Sequence, residues 1–184
     1  VRIAMKTKWT GKKVLCRIFQ YGMKIGMNVL PWSTPKVLRG SGAVRKLPAA
    51  VKRRNFSRVL IVTDGTLMKL HLLDGMLEEM KKEGLEYAIY DGVAPNPTDE
   101  NVEEGVRIFR ENHCDCMIAF GGGSPMDCAK GVGARIARPK KTVRKLQGLF
   151  RILRPIPVIF AVPTTAGTGS ETTIAAVITE AQTH

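Results

Sequence analysis

The stretch Cys116-Met117-Ile118-Ala119-Phe120-Gly121-Gly122-Gly123-Ser124-Pro125-Met126-Asp127-Cys128-Ala129-Lys130 decides the fold. Its first five residues form a short apolar run of the kind that fills a strand buried on both faces. Three glycines follow without a break. Ser124 reads as a helix N-cap, Pro125 as the first helical residue and Asp127 as a helix-start acid. The order is therefore strand, glycine turn, helix start. Amides at a helix N-terminus, with no side chains in front of them, bind phosphate groups. The reading is a nucleotide pyrophosphate site; a glycine turn capped for stability alone would use the same residues. Met126 stands where a G-x-G-x-x-G fingerprint needs its last glycine, so the stretch is Rossmann-like without being that motif.

A second stretch has the same form. Val158-Ile159-Phe160-Ala161-Val162 is another buried-strand run, ended by Pro163. Thr164-Thr165-Ala166-Gly167-Thr168-Gly169-Ser170-Glu171 then offers hydroxyls and accessible amides on a pliant backbone. Polar loops at the carboxyl ends of parallel strands hold cofactors.

Working outward, strand and helix patterns alternate from Pro35 onward. A short strand is expected over 36–39, ending at Gly40-Ser41-Gly42, with a helix over 43–52. A strand over 58–62 and a helix over 67–83 follow, with Gly84 as the stop. A strand over 87–90 precedes a helix over 99–112, which Thr98 caps and whose early acids suit its positive end. The helix after the glycine triplet runs to about Ala137. The segment 174–179 is expected to form a hairpin arm. This alternation predicts an α/β fold, a Rossmann-like doubly wound parallel sheet with helices on both faces.

Charge is distributed unevenly. Residues 1–54 hold 14 Lys+Arg and no acid, residues 55–134 carry −7, and residues 135–184 carry +6. A basic chain invites a nucleic-acid or membrane reading. The nucleotide-like motifs lie in the acidic middle, however, and no aromatic stacking platform is visible, so no nucleic-acid partner is expected. Residues 1–34 form a basic amphipathic extension. Val14, Leu15, Ile18, Phe19, Ile25 and Val29 recur at helical spacing against Lys12, Lys13, Arg17 and Lys24. Such a helix packs on the domain or a partner subunit, or lies on a membrane surface. It lacks the long apolar core and cleavage site of a signal peptide. Residues 138–154 are a second basic, partly apolar insert, read as a surface loop whose apolar residues dock on the body, with an anionic contact site as the alternative.

The remaining chemistry is sparse. No apolar run reaches the length of a membrane span. The four cysteines show no disulfide spacing. Cys114 and Cys116 read as a buried pair on one strand face, and Cys16 and Cys128 as helix core residues. A reducing cytoplasm fits. His71 sits within a helical pattern, His113 at a helix end and His184 at the last position, none at ligand spacing. Lys130 reads as a solvated charge. Asp64, at the end of the first main strand, is placed either to form a turn with Gly65 or to accept hydrogen bonds from an adenosine ribose, which favours NAD over NADP.

GGGSPMDCAK (121–130) and PTTAGTGSETT (163–173), with Val62-Thr63-Asp64 and Ala94-Pro95-Asn96-Pro97-Thr98, resemble the iron-containing alcohol dehydrogenase family. That family has a dehydroquinate-synthase-like fold. The resemblance covers residues from about Pro35 onward. It implies that residues 35–184 are an NAD-binding domain and that Asp64 holds the ribose. It further implies that Asn96 contacts the cofactor, that Gly122, Gly123 and Ser124 approach the pyrophosphate, and that Thr164, Thr165, Thr168 and Ser170 line the cleft. Glu171 is expected to anchor backbone amides. The family's metal, iron or zinc, is held by an Asp and several His in a helical domain that would lie beyond His184.

The reading is the cofactor-binding half of a metal-dependent alcohol dehydrogenase, inactive by itself. Its substrate would be a small alcohol or aldehyde and its assembly a homo-oligomer such as a dimer. Glycerol dehydrogenase or dehydroquinate synthase chemistry, or a non-enzymatic basic anion-binding module, are the alternatives; the PTTAGTGSE loop favours the alcohol dehydrogenase branch.

Overall fold

The computed structural model describes residues 10–29, 35–148, 151–173 and 175–181. Parts of the basic extension (1–9 and 30–34), positions 149–150 of the basic insert, Ile174 and His184 lie outside the described residues. The chain divides into two compact units, Val1–Lys36 and Val37–His184. Among the described residues, the first unit holds the helix α1 (Thr10–Val29).

The second unit is built on four parallel strands. These are β1 (Arg58–Val62), β2 (Glu86–Tyr90), β3 (Cys116–Gly121) and β4 (Val158–Pro163), in the order β2-β1-β3-β4. The register pairs Val62 with Tyr90, Val62 with Ala119, and Gly121 with Pro163. All four strands therefore end at one edge of the sheet. The order reverses between β1 and β3, because β2 lies on one side of β1 and β3 on the other. A parallel sheet needs cover on both faces, and alternate strand residues supply two cores. Leu60, Val62, Met117 and Ala119 pack with α5 (Asp99–Glu111) and α6 (Gly123–Ala137). Val59, Ile61, Cys116, Ile118 and Phe120 pack with α2 (Leu47–Lys52) and α4 (Asp74–Lys82). The doubly wound α/β architecture is thus as the sequence pattern requires.

Local differences have local causes. Residues 36–39 are not a strand: among the described residues no strand lies beside them to take their hydrogen bonds, and Val37 and Leu38 are exposed. The 43–52 segment begins as a 3-10 turn, Ala43–Lys46, and becomes α-helical only at Leu47. Pro48 has no N–H to continue an earlier α ladder. The 67–83 segment is two helices, α3 (Gly65–Lys69) and α4, separated by His71 with φ 56°. His71 therefore stands at a break rather than within a helix. Gly84, with φ 65°, ends α4 in the expected left-handed conformation, and the Leu85 N–H reaches back to the Met80 carbonyl. Thr98 caps α5 through a full capping box with Asn101. The 174–179 segment forms no hairpin among its described residues; Thr179 instead makes a parallel bridge to Thr98.

The cysteines also depart from expectation. Cys114 and Cys116 are both buried but belong to opposite cores, because β3 starts only at Cys116 and strand alternation does not extend to Cys114. Burial pushes the Cys114 thiol up to about 11 and that of Cys128 up to about 12, and raises that of Cys116 strongly. Cys16 is exposed and is no core residue.

The contact between α5 and α6 is set by glycine. A Cβ on Gly105 would lie 2.6 Å from Val132 Cγ2, and one on Gly131 would lie 2.7 Å from Val102 Cγ2. Two stiff, buried valines thus fit against two bare backbones. Gly131→Ala is expected to destabilise the fold by about 1 kcal/mol. Overpacking costs about 1–3 kcal/mol and outweighs the helix-propensity gain of about 1 kcal/mol. Urea unfolding measures the effect, and adding Val102→Ala should recover part of the loss that Gly131→Ala causes.

Candidate functional site

The turn from β3 into α6 takes a single residue. Gly121 ends the strand at φ 148°, and its absent Cβ is the space occupied by Pro125 Cγ, 2.6 Å from where a Cβ would sit. Gly122, in extended conformation, is the N-cap, and α6 begins at Gly123. Ser124 is therefore inside the first turn rather than at the N-cap. Among the described residues, no side chain hydrogen-bonds the start of this 15-residue helix. Its leading amides face the strand edge uncapped, which is the condition for an anion site at a helix N-terminus. Pro125 contributes no N–H, at a position where none would find an intrahelical acceptor.

The loop after β4 covers this turn. The Thr164 N–H donates to the Gly121 carbonyl at 3.0 Å. A Cβ on Gly122 would stand 3.1 Å from Thr165 Oγ1, and one on Gly123 would stand 3.4 Å from Ser170 Oγ and 3.8 Å from Thr168 Cγ2. Hydroxyls of the fourth strand's loop thus meet the glycine backbone of the third. The Asn96 N–H donates to Ser124 Oγ at 3.4 Å, joining the loop after β2 to the same helix start. Asn96 itself is in the left-handed region, φ 58°, between Pro95 and Pro97. Asp64, after β1, caps α3: its Oδ1 accepts from the N–H of Thr66 at 2.9 Å and of Leu67 at 3.1 Å.

Asp64, Asn96, Gly122, Gly123, Ser124, Thr164, Thr165, Thr168 and Ser170 therefore all stand beyond the carboxyl ends of the four strands. Asp64 and the glycine triplet flank the point where the strand order reverses, the crevice in which open α/β sheets hold ligands.

Three residues behave differently from their sequence reading. Lys130 is not a solvated charge. Its side chain is only 17% exposed, and Nζ donates to Asp127 Oδ1, Thr173 Oγ1 and the Ala175 carbonyl. Asp127 does not serve as a capping-box acid; it accepts from Lys130 and, through Oδ2, from the Val177 N–H. Together they clamp the segment that follows the hydroxyl loop onto α6. Spacing could not reveal this, because Thr173, Ala175 and Val177 all lie more than 40 residues from the pair. Glu171 is exposed, and no backbone amide donates to it among the described residues.

No group of three or more His, Cys, Asp or Glu able to hold a metal ion exists among the described residues. Cys114 and Cys128 belong to one core and Cys116 to the other, and His71 and His113 close helix ends in the left-handed region. The basic insert docks in part: Leu146 is buried and Val143 packs on the α5–α6 core, while Leu153 is exposed. Lys141, Arg144, Lys145, Gln147 and Arg151 line an open concavity of about 500 Å³ there.

The model of the iron-containing alcohol dehydrogenase family matches residues 34–184. The chain belongs to that family. It is 46% identical over 142 residues to lactaldehyde reductase of Escherichia coli (strain K12), covering 77% of this chain and 37% of that protein. It is 37% identical over 146 residues to the NAD-dependent methanol dehydrogenase of Bacillus methanolicus, covering 79% and 38%. The crystal structure of NADH-dependent butanol dehydrogenase A from Thermotoga maritima superposes with a TM-score of 0.75 at 30% identity, covering 84% of this chain and 39% of that one. The chain thus spans under two-fifths of the length of these relatives.

Thr63 belongs to the Val62-Thr63-Asp64 motif, but the sequence reading assigned it no role of its own. Thr63, between β1 and Asp64, is fully buried, and its hydroxyl has no hydrogen-bond partner among the described residues, although its N–H donates to the Tyr90 carbonyl. An unsatisfied buried hydroxyl costs about 1–3 kcal/mol. Thr63→Val is therefore expected to raise stability by about 1 kcal/mol in urea unfolding, leaving the sheet edge otherwise unchanged.

Proposed function

We propose that the chain is the cofactor-binding half of a metal-dependent alcohol dehydrogenase that moves hydride between a small alcohol or aldehyde and NAD. The observation that carries this reading is the uncapped start of α6 beside the strand-order reversal, with a carboxylate on the opposite side of the crevice. The amides of Gly123 and Ser124 would hold the pyrophosphate, and Gly122 would let it approach the backbone. Thr164, Thr165, Thr168 and Ser170 would orient the rest of the cofactor from the loop above, and Asn96 would close the crevice from the β2 side. Asp64 spends Oδ1 on capping α3, which leaves Oδ2 to accept from an adenosine ribose hydroxyl. Its charge would repel a 2′-phosphate, so NAD is favoured over NADP. The chain's relatives, an NAD-dependent methanol dehydrogenase and an NADH-dependent butanol dehydrogenase, point to the same cofactor.

When bound, NAD supplies the hydride acceptor or donor; this chain binds and orients it. The family implies a divalent metal, iron or zinc. The described residues do not fit one, so its ligands would come from elsewhere in the whole protein. We place that protein in the cytoplasm as a homo-oligomer, with residues 35–184 as its NAD domain.

Calorimetric titration with NADH and NADPH tests the reading. NADH is expected to bind at least roughly tenfold more tightly, an energy difference of about 1.4 kcal/mol. Asp64→Asn keeps a capping side chain but removes the charge, and should bring the two affinities together. NADPH binding as tightly as NADH in the parent chain would contradict the role given to Asp64.

A further inference from the structure

The helix α1 presents apolar and basic side chains that the catalytic reading does not use. Val14, Leu15, Ile18, Phe19 and Tyr21 are all more than half exposed, Leu15 at 70% and Phe19 at 63%. Lys13, Arg17 and Lys24 are exposed as well. At 100° per residue, Val14, Leu15, Ile18 and Phe19 fall within one broad arc, while Lys13, Arg17 and Lys24 gather within a narrow arc of their own. No helix among the described residues is long and apolar enough to cross a membrane. A helix with a large apolar face and a cationic face, too polar to span, lies in the plane of a bilayer interface.

Charge decides among occupants. Residues 1–54 contain 14 Lys+Arg and not one acid. Two such helices would repel one another, so a second copy of the segment is a poor partner. The acidic middle of the chain is the other conceivable counterpart, yet many of its carboxylates are already engaged. Glu86 pairs with Arg58, Glu79 with Lys82, Glu104 and Glu111 with Arg107, Glu103 with Arg135, and Asp127 with Lys130. A surface dense in fixed negative charge and backed by hydrocarbon complements both faces of α1 at once.

We infer that α1 is an interfacial anchor that binds the anionic phospholipid surface of a membrane, with Val14, Leu15, Ile18 and Phe19 inserted at the acyl boundary and Lys13, Arg17 and Lys24 on the headgroups. The enzyme domain is thereby held at a membrane without spanning it.

Vesicle flotation of the full chain tests this, with phosphatidylcholine vesicles set against mixed phosphatidylcholine–phosphatidylserine vesicles. The chain is expected to float with the mixed vesicles and not with phosphatidylcholine alone. Binding should weaken by at least about tenfold in a Lys13→Glu/Arg17→Glu/Lys24→Glu variant, and to a similar degree in Leu15→Ser/Phe19→Ser. High salt should release the parent chain. Circular dichroism and NADH titration check that both variants remain folded. No flotation with phosphatidylserine vesicles would overturn the proposal. So would binding that survives charge reversal, or a loss of thermal stability or of self-association in the variants without lipid, since these would assign the helix to a protein surface.

Discussion

The architecture depends on one tight passage, from β3 into α6. The strand must end beside its neighbours, and the helix must begin almost at once if it is to fall back across the sheet. Gly121 takes the positive φ that this demands, and the Pro125 ring fills the volume a side chain there would need. Any side chain at 121 meets both a strained backbone and a clash with the ring. The helix consequently starts on bare glycine amides at the sheet's carboxyl edge. The same constraint that closes the fold opens the crevice.

The parallel sheet supplies the rest. Four strands ending on one edge bring four loops together, although Asp64 in the first and Ser170 in the last are 106 positions apart in sequence. Each contributes different chemistry: a carboxylate after β1, a rigid Pro-Asn-Pro turn after β2, glycine amides after β3, and hydroxyls after β4. The order reversal between β1 and β3 leaves room between the carboxylate and the glycines, because the connections from those two strands leave to opposite faces. The Asp127–Lys130 pair then secures the segment after the hydroxyl loop to α6. With side chains 14% and 17% exposed, it is far more shielded than the ion pairs on α5.

Much of this was legible in the sequence, for physical reasons. Buried parallel strands are short apolar runs, and β1, β3 and β4 stand out as such. Thr98 and Gly84 announce the ends of α5 and α4 because capping is local chemistry. What was not legible depended on contacts between distant residues. Besides Asp127, the Thr173 hydroxyl and the Ala175 carbonyl draw Lys130 out of solvent, and nothing near residue 130 encodes those two. The strand expected over 36–39 had suitable residues but no neighbour to pair with among the described residues. Cys114 and Cys116 are two apart, yet their separation onto opposite cores depended on where β3 begins, a boundary that periodicity leaves loose. The unsatisfied Thr63 hydroxyl is likewise a property of packing, with no trace in the pattern.

The central claim is that the uncapped amides at the start of α6 receive the cofactor's pyrophosphate. The most direct measurement is a backbone amide NMR titration of the isotopically labelled chain with NADH. The account predicts that the largest shift changes fall on Gly122, Gly123 and Ser124, with Thr165, Thr168 and Asp64 next. Shift changes confined to the basic insert around Lys141 to Arg151, with the glycine amides unmoved, would contradict it.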